Sequence, residues 1–317
     1  MKIVMLEPLG VSREFMEPRV QPLLDAGHEF VYCDSKLTVD EKKSAIRDAE
    51  ILIIANGPLT EEILLCAEKL RMISVGFTGI DHVALDTCRE KGITVCNAQG
   101  YATDSTAELA IGLMLACLRN IVPYDSVVRS GGTLAGYTHN TLRGKTVGIV
   151  GTGAIGTRTG ELANAFGCRV LGFNRSEKEA AIRAGIEYCD LETLFRESDI
   201  VSLHIPYTAD TEHLVNSELI GKMKETAILI NCARGPVVDS EALAKALNDG
   251  AIAAAGIDVF ETEPPIPQNH PLLHAKNAIL TPHVGFYSEE SLAERFDIVL
   301  DNVKAWLDGA PINVKLL

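Results

Sequence analysis

The sequence predicts an α/β protein made of two doubly wound parallel sheets, and three observations carry that prediction. Short apolar runs alternate with longer amphipathic ones almost from end to end, the pattern of parallel strands covered by helices on both faces. The alternation runs twice, over residues 1 to about 98 and again from Lys145, with a long apolar segment between. The 317 residues suit about two domains, and an apolar content of 47% is enough for a large packed core.

In chain order, "KIVML", "EFVYC", "ILIIA", "RMISVGF" and "ITVCNA" read as five strands, with "DEKKSAIRDAE", "TEEILLCAEKL" and "ALDTCREKG" as helical pieces between them. "TDSTAELAIGLMLACLRN", 103 to 120, is too polar at its start and too short to span a bilayer, so it reads as a buried helix. The second series of strands is "KTVGIVG", "RVLGFN", "DIVSLHIP", "TAILINCARG", "AAAGIDVF" and "NAILTPH". Helices such as "IGTRTGELANAFG" and "SEALAKALNDG" separate them, and the amphipathic "SEESLAERFDIVLDNVKAWLDG", 288 to 309, closes the chain. There is no low-complexity linker and no fixed-period repeat. The boundary near 98 to 103 is therefore a bend leading into a helix.

A net charge of −14 argues against nucleic acid or an acidic membrane surface as partner, so an anionic substrate would need a local cation. No stretch approaches the roughly 20 apolar residues of a membrane span, and "MKIVMLEPLG" reads as a first strand instead of a signal peptide. The eight cysteines lie far apart without a C-x-x-C pair, mostly in apolar segments, as expected of reduced core residues in a cytoplasmic protein. His270 and His274 stand four apart but flank Pro271 in a proline-rich loop, and no H-E-x-x-H occurs; no metal is expected. His82 and His204 read as structural histidines, and Tyr101 either lines a cleft or packs.

"TVGIVGTGAIG" places Gly151, Gly153 and Gly156 in G-x-G-x-x-G spacing, after an apolar strand and at the opening of a helix. In that context Gly151 permits the tight turn, Gly153 lets backbone approach a pyrophosphate, and Gly156 lets helix and strand pack closely. The helix start adds open amides and positive potential for the anion. The next strand, "RVLGFN", should deliver a ribose-recognising acid, yet Asn174, Arg175 and Ser176 stand there. A guanidinium fork suits a 2′-phosphate, so the dinucleotide expected is NAD(P), with NADP favoured over NAD.

Ligands of open parallel sheets bind beyond the carboxyl ends of the strands. Three of those ends carry charge: "AILINCARG" ends at Arg234, "AAAGIDVFETEPP" passes Asp258 to Glu263, and "NAILTPHVG" reaches His283. Arg234 can grip a carboxylate and polarise the adjacent carbonyl, His283 can give or take the proton, and Glu263 can fix the imidazole tautomer. That combination suits a 2-oxo acid and its 2-hydroxy acid.

With "FTGIDHVALDTCREKGITVCNAQGYATDSTAELAIGLML", "GKTVGIVGTGAIG", "SLHIPYTADTEHLVN", "LINCARGPVVDSEAL", "GIDVFETEPP" and "LTPHVG", the chain resembles the D-isomer-specific 2-hydroxyacid dehydrogenases over nearly its whole length. That family includes phosphoglycerate dehydrogenase and glyoxylate/hydroxypyruvate reductase. The resemblance implies Arg234, Glu263 and His283 as the catalytic set. It implies dinucleotide contacts at Ala154, Ile155, Pro206 and Thr211, with Cys232, Ala233 and Asp258 near the nicotinamide; these join Gly151, Gly153, Gly156, Asn174, Arg175 and Ser176 of the loop and strand end, and Arg234, His283 and Gly285, as expected cofactor contacts. Gly76, Phe77, Thr78 and Gly79 should face the substrate carboxylate beside Arg234 and His283. The implied fold inserts a Rossmann cofactor domain, 101–286, into a flavodoxin-like substrate domain, 1–100 plus 287–317, and the implied assembly is a homodimer formed through the cofactor domain.

Two departures bear on function. The ribose acid of many NAD-using members is absent, and the chain stops at Leu317 without the regulatory extension of many phosphoglycerate dehydrogenases, which favours a compact glyoxylate/hydroxypyruvate-type reductase. A formate dehydrogenase relative would carry Gln where Glu263 stands and a longer start. A dinucleotide-sensing corepressor-like binding protein would carry long tails. Neither alternative matches the chain as well.

Overall fold

A computed structural model of the chain describes residues 1–33, 37–134, 136–262 and 265–317. Contacts divide it into two compact units, Met1–Ala102 with Tyr287–Leu317, and Thr103–Phe286.

The first unit opens with β1 (Lys2–Met5), α1 (Arg13–Asp25), β2 (Glu29–Tyr32), α2 (Val39–Ile46), β3 (Ile51–Ile54), α3 (Glu61–Leu64), β4 (Met72–Val75), α4 (Leu85–Glu90) and β5 (Thr94–Asn97). All five strands run parallel, and β3 and β4 are buried from end to end, as central strands covered on both faces must be. The first helix has no counterpart in the sequence reading because Pro18 and Pro22 sit inside it. Both prolines lie on the exposed side of the helix, and Met16, Val20 and Leu23 still form a buried stripe. The "TEEILLCAEKL" stretch yields only the four-residue α3.

The second unit holds α5 (Thr103–Arg119), α6 (Ile121–Arg129), β6 (Thr146–Val150), α7 (Ala154–Ala165), β7 (Arg169–Phe173), α8 (Glu179–Arg183), β8 (Ile186–Tyr188), α9 (Leu191–Glu197), β9 (Ile200–Leu203), α10 (Ser217–Ile220), β10 (Ile228–Asn231), α11 (Ser240–Asp249), β11 (Ala254–Ile257) and β12 (Ala278–Leu280). Its seven strands form one parallel sheet in the order β12-β11-β10-β9-β6-β7-β8, so the winding direction reverses between β6 and β9. The strand period of two divides the core: Ile228 and Ile230 pack with Val147, Ile149 and Met114 on one face, and Leu229 with Leu194, Phe195 and Leu243 on the other. The long apolar segment is α5, with Ala107, Ala110, Leu113 and Met114 buried. A bend of 57° separates it from α6, and no single helix among the described residues is long and apolar enough to cross a membrane.

The chain then returns to the first unit with α12 (Glu289–Leu307) and β13 (Val314–Leu316). A capping box starts the helix: Ser291 N donates to Ser288 Oγ, and Ser288 N donates to Ser291 Oγ. Phe296, Val299 and Val303 are fully buried, and Asn302 Nδ2 donates to Asn97 O at 3.0 Å. The three-residue β13 pairs antiparallel with β5 and gives the six-stranded order β13-β5-β4-β3-β1-β2. The sequence reading did not include this strand.

Candidate active site

At the carboxyl end of β6 the three glycines do different things. Gly151 has φ +96°, and a Cβ there would sit 2.6 Å from His204 O, so the turn admits only glycine. A Cβ on Gly156 would lie 1.9 Å from Gly151 O, which makes its absence the condition for α7 to pack on the loop. Around Gly153, the residue before α7, there is open space within 4 Å. A ligand backbone can approach there and meet the first amides of a twelve-residue helix. Thr152, Gly153, Ala154, Thr157, Arg158 and Lys178 line an open cavity of about 510 Å³ at this point. A glycine turn, an open approach and a helix start together fit a dinucleotide pyrophosphate. A larger cavity, about 640 Å³, opens at the amino edge of the same sheet, beside Lys145, Asp199, Ile228, Ala254 and Ala278, away from the carboxyl ends of the strands.

Beyond β7, Asn174 Nδ2 donates to Ser176 O at 2.9 Å, and Arg175 and Ser176 are exposed. A link absent from the sequence reading comes from β8. The Tyr188 hydroxyl accepts from Lys178 N at 3.0 Å and hydrogen-bonds the buried Thr152 Oγ1, tying the turn after β7 to the glycine loop. Tyr188 belongs to a three-residue strand with no periodicity to find, so no sequence signal marks it. His204 N donates to Val150 O at 2.7 Å and its Nε2 pairs with Ser202 Oγ at 2.9 Å. Burial pushes its pKa down to about 4, which keeps the ring neutral. Pro206 and Thr211 share a closed turn in which Thr211 Oγ1 donates to Pro206 O at 2.8 Å.

Adjacent strands β10, β11 and β12 put Arg234, Asp258 and His283 at neighbouring carboxyl ends. Asn231, 1% exposed, shapes the first turn: its Nδ2 donates to Arg234 O at 3.0 Å and its Oδ1 accepts from Ala233 N at 3.0 Å. The Arg234 guanidinium is partly exposed and Nη1 donates to Ala233 O. Gly235 follows because a Cβ there would lie 1.9 Å from the Phe260 carbonyl carbon. Cys232 is buried, which pushes its thiol pKa up and leaves it protonated.

Asp258 is completely buried, and its carboxylate is engaged with the segment that carries His283. Oδ1 accepts from Thr281 Oγ1 at 2.6 Å and from Val284 N at 2.8 Å, and Oδ2 accepts from Gly285 N at 2.8 Å. His283 N donates to Asp258 O at 2.7 Å. From α5, Thr106 Oγ1 donates to Gly285 O at 3.1 Å. These bonds hold His283 at φ +56°, a left-handed conformation that a non-glycine residue adopts only under constraint. Its ring meets Phe286 edge to face, with centroids 5.8 Å apart.

Glu263 lies outside the described residues. Before it, Glu261 accepts from His270 Nε2 at 2.8 Å, and after it His274 Nε2 donates to Gln268 O. Burial alone would raise the Glu261 carboxyl, but hydrogen bonds from His270 and Ser240 hold it below its ordinary value. Among the described residues, no group of three His, Cys, Asp or Glu side chains could hold a metal ion.

In the first unit the 76–79 turn follows β4. Gly76 N donates to Ile54 O at 2.7 Å, and a Cβ on Gly76 would meet Leu9 Cδ2 at 2.8 Å. Phe77 O accepts from Ala98 N, and Thr78 O from Asn97 Nδ2 at 2.7 Å.

The family model for "D-isomer specific 2-hydroxyacid dehydrogenase, NAD binding domain" matches residues 111–285. A glyoxylate reductase of Thermofilum pendens is 40% identical over 273 residues, covering 83% of this chain and 80% of that protein. A hydroxypyruvate reductase of Blautia hydrogenotrophica is 37% identical over 296 residues, covering 91% and 92%. Among solved structures, an acyclic imino acid reductase in complex with NADPH and D-Arg matches with a TM-score of 0.89 and 28% identity over the full length of both chains.

Proposed function

Because the chain belongs to the D-isomer-specific 2-hydroxyacid dehydrogenase family, we propose that it reduces a small 2-oxo acid, glyoxylate to glycolate or hydroxypyruvate to the D-isomer of its 2-hydroxy acid, and runs the reverse reaction. The observation that carries this reading is the constrained histidine: His283 sits at φ +56°, two strands from the turn of Arg234, fixed there by a fully buried aspartate.

In this reading Arg234 takes the substrate carboxylate with its planar fork and polarises the adjacent carbonyl. His283 supplies the proton to the carbonyl oxygen and takes it back in oxidation, with Glu263 as the partner that fixes the tautomer. A bound nicotinamide supplies or accepts the hydride. Asn231 and Asp258 hold the two strand-end turns in place. The first unit, with its 76–79 turn, is the substrate domain, and the second is the dinucleotide domain.

The reading extends to preference and assembly. NADP is favoured over NAD because Asn174, an exposed Arg175 and Ser176, and no acid, stand at the end of β7; Lys178 lines the cavity at the glycine loop. The partner is a second copy of the chain, engaged through exposed apolar residues on α6 and just after it, Ile121, Val122, Val128, Leu134 and Tyr137. Cys88, Cys96, Cys168 and Cys232 are buried free thiols, in keeping with a reducing, cytoplasmic setting. The test is a panel of 2-oxo acids with NADPH and NADH, followed at the nicotinamide absorbance band. Turnover of glyoxylate or hydroxypyruvate, faster with NADPH, is expected, and no turnover of any member would overturn the reading.

A further inference from the structure

The C-terminal helix of the first unit buries a cation that the reading above leaves without a task. Arg295, on α12, is 4% exposed. Its guanidinium carbon lies 5.1 Å from the centroid of the Phe77 ring and 5.7 Å from that of Tyr101, and those two rings meet edge to face at 6.1 Å. Nη2 donates to Leu9 O, and the Tyr101 hydroxyl is a further hydrogen-bond partner. The same side chain backs two glycines: a Cβ on Gly10 would stand 3.4 Å from Nη2, and one on Gly76 would stand 3.7 Å from Cδ. One guanidinium therefore joins three segments that follow β1, β4 and β5 at the carboxyl edge of this sheet.

A buried cation is costly to desolvate, and an apolar side chain of similar volume would fill the same space more cheaply. What an apolar residue cannot do is donate from a planar fork and stack on ring faces at once. The turn it supports has a defined polarity. The carbonyls of Phe77 and Thr78 are directed to Ala98 N and Asn97 Nδ2. In a trans peptide the N–H of the next residue points the opposite way, so Thr78 N–H and Gly79 N–H are directed away from those partners. Two successive amides so directed suit a carboxylate.

Resting on the function proposed above, we infer that Arg295 is a positioning residue that sets substrate affinity by fixing the Phe77 ring and, through it, the amides of the 76–79 turn. It touches no reacting atom.

The experiment uses the full chain with R295M, R295K and Y101F, each checked by thermal melting. The readouts are KM and kcat for glyoxylate, calorimetric binding of oxamate (an unreactive acid with the same carboxylate–carbonyl head) to the NADPH-loaded protein, and the Kd of NADPH. R295M is expected to raise KM and weaken oxamate about tenfold, with kcat and the NADPH Kd within about twofold. R295K keeps the charge and should recover part of the loss, and Y101F should show a smaller loss of the same kind. A side chain that only stabilises the fold would lower the melting temperature and leave KM unchanged. Folded R295M and R295K with wild-type KM and oxamate affinity would overturn the inference. If R295M does not fold, wild-type values in both R295K and Y101F overturn it. A wild-type protein that reduces no 2-oxo acid and binds no oxamate defeats the functional reading, and this inference with it. Wild-type turnover with unaltered variants defeats this inference alone.

Discussion

Gly151, after β6, and His283, after β12, both hold positive φ, +96° and +56°, at the same edge of the same sheet. At Gly151 the turn is free of strain because no side chain exists, and the nearby Gly153 leaves room for a ligand backbone. At His283 the chain keeps a side chain in a conformation that costs of order 1–2 kcal/mol for most residues. Asp258 offsets that cost with three hydrogen bonds to its carboxylate and one to its carbonyl. The difference separates the two tasks of the edge. In the proposed function, side chains are removed where backbone approaches an anion, and strain is accepted and constrained where an imidazole is presented.

The largest test of this division is His283→Ala. Turnover should fall by about 10³-fold, roughly 4 kcal/mol, while the NADPH Kd stays within about twofold; undiminished turnover would reduce His283 to a strand cap. The wall behind Gly151 gives the next. His204 resists protonation in the folded state down to about 4, whereas an unfolded histidine protonates near 6.5. Its contribution is therefore complete above pH 6.5 and is lost as pH falls towards 4, by up to about 3 kcal/mol. Urea unfolding of the wild type and His204→Gln at pH 7 and pH 4.5 should show the wild type losing more stability on acidification; parallel losses would remove His204 from the acid response. Gly156→Ala reverses the His283 pattern. Its Cβ meets backbone, so about 2 kcal/mol of stability and most dinucleotide affinity should go, measured by melting and fluorescence titration, while kcat at saturating dinucleotide persists. The smallest effect is Arg175→Ala, expected to weaken NADPH about tenfold, near 1.4 kcal/mol, and NADH hardly at all. Equal weakening of both would defeat the NADP preference.

Eleven of the thirteen strands were legible because each is a short apolar run flanked by polar or glycine-bearing turns. The helix at Arg13–Asp25 was not, since Pro18 and Pro22 normally break a helix and only their exposure permits this one. The edge strands Ile186–Tyr188 and Val314–Leu316 were not, because each is three residues with a charge at its centre, Glu187 and Lys315, and so is not an apolar run. In the site, Arg234 and His283 stood out as charged residues at strand ends. Asn231, Tyr188 and Thr106 did not, because their importance lies in bonds to other turns. Asp258 is expected on the nicotinamide side, and the tertiary structure adds a task the sequence does not show: its carboxylate is closed around 281–285.

By itself the sequence determined what is local: the alternation of strand and helix, the glycine spacing before a helix start, and the residue types at each strand end. Those follow from periodicity and backbone sterics within a few residues. The tertiary structure decided which strand ends become neighbours, which carboxylate is buried to hold a histidine in a left-handed backbone, and which arginine is enclosed by aromatic rings. Burial and hydrogen-bond partners arise between segments as distant as Leu9 and Arg295, and no local pattern encodes the contact between them.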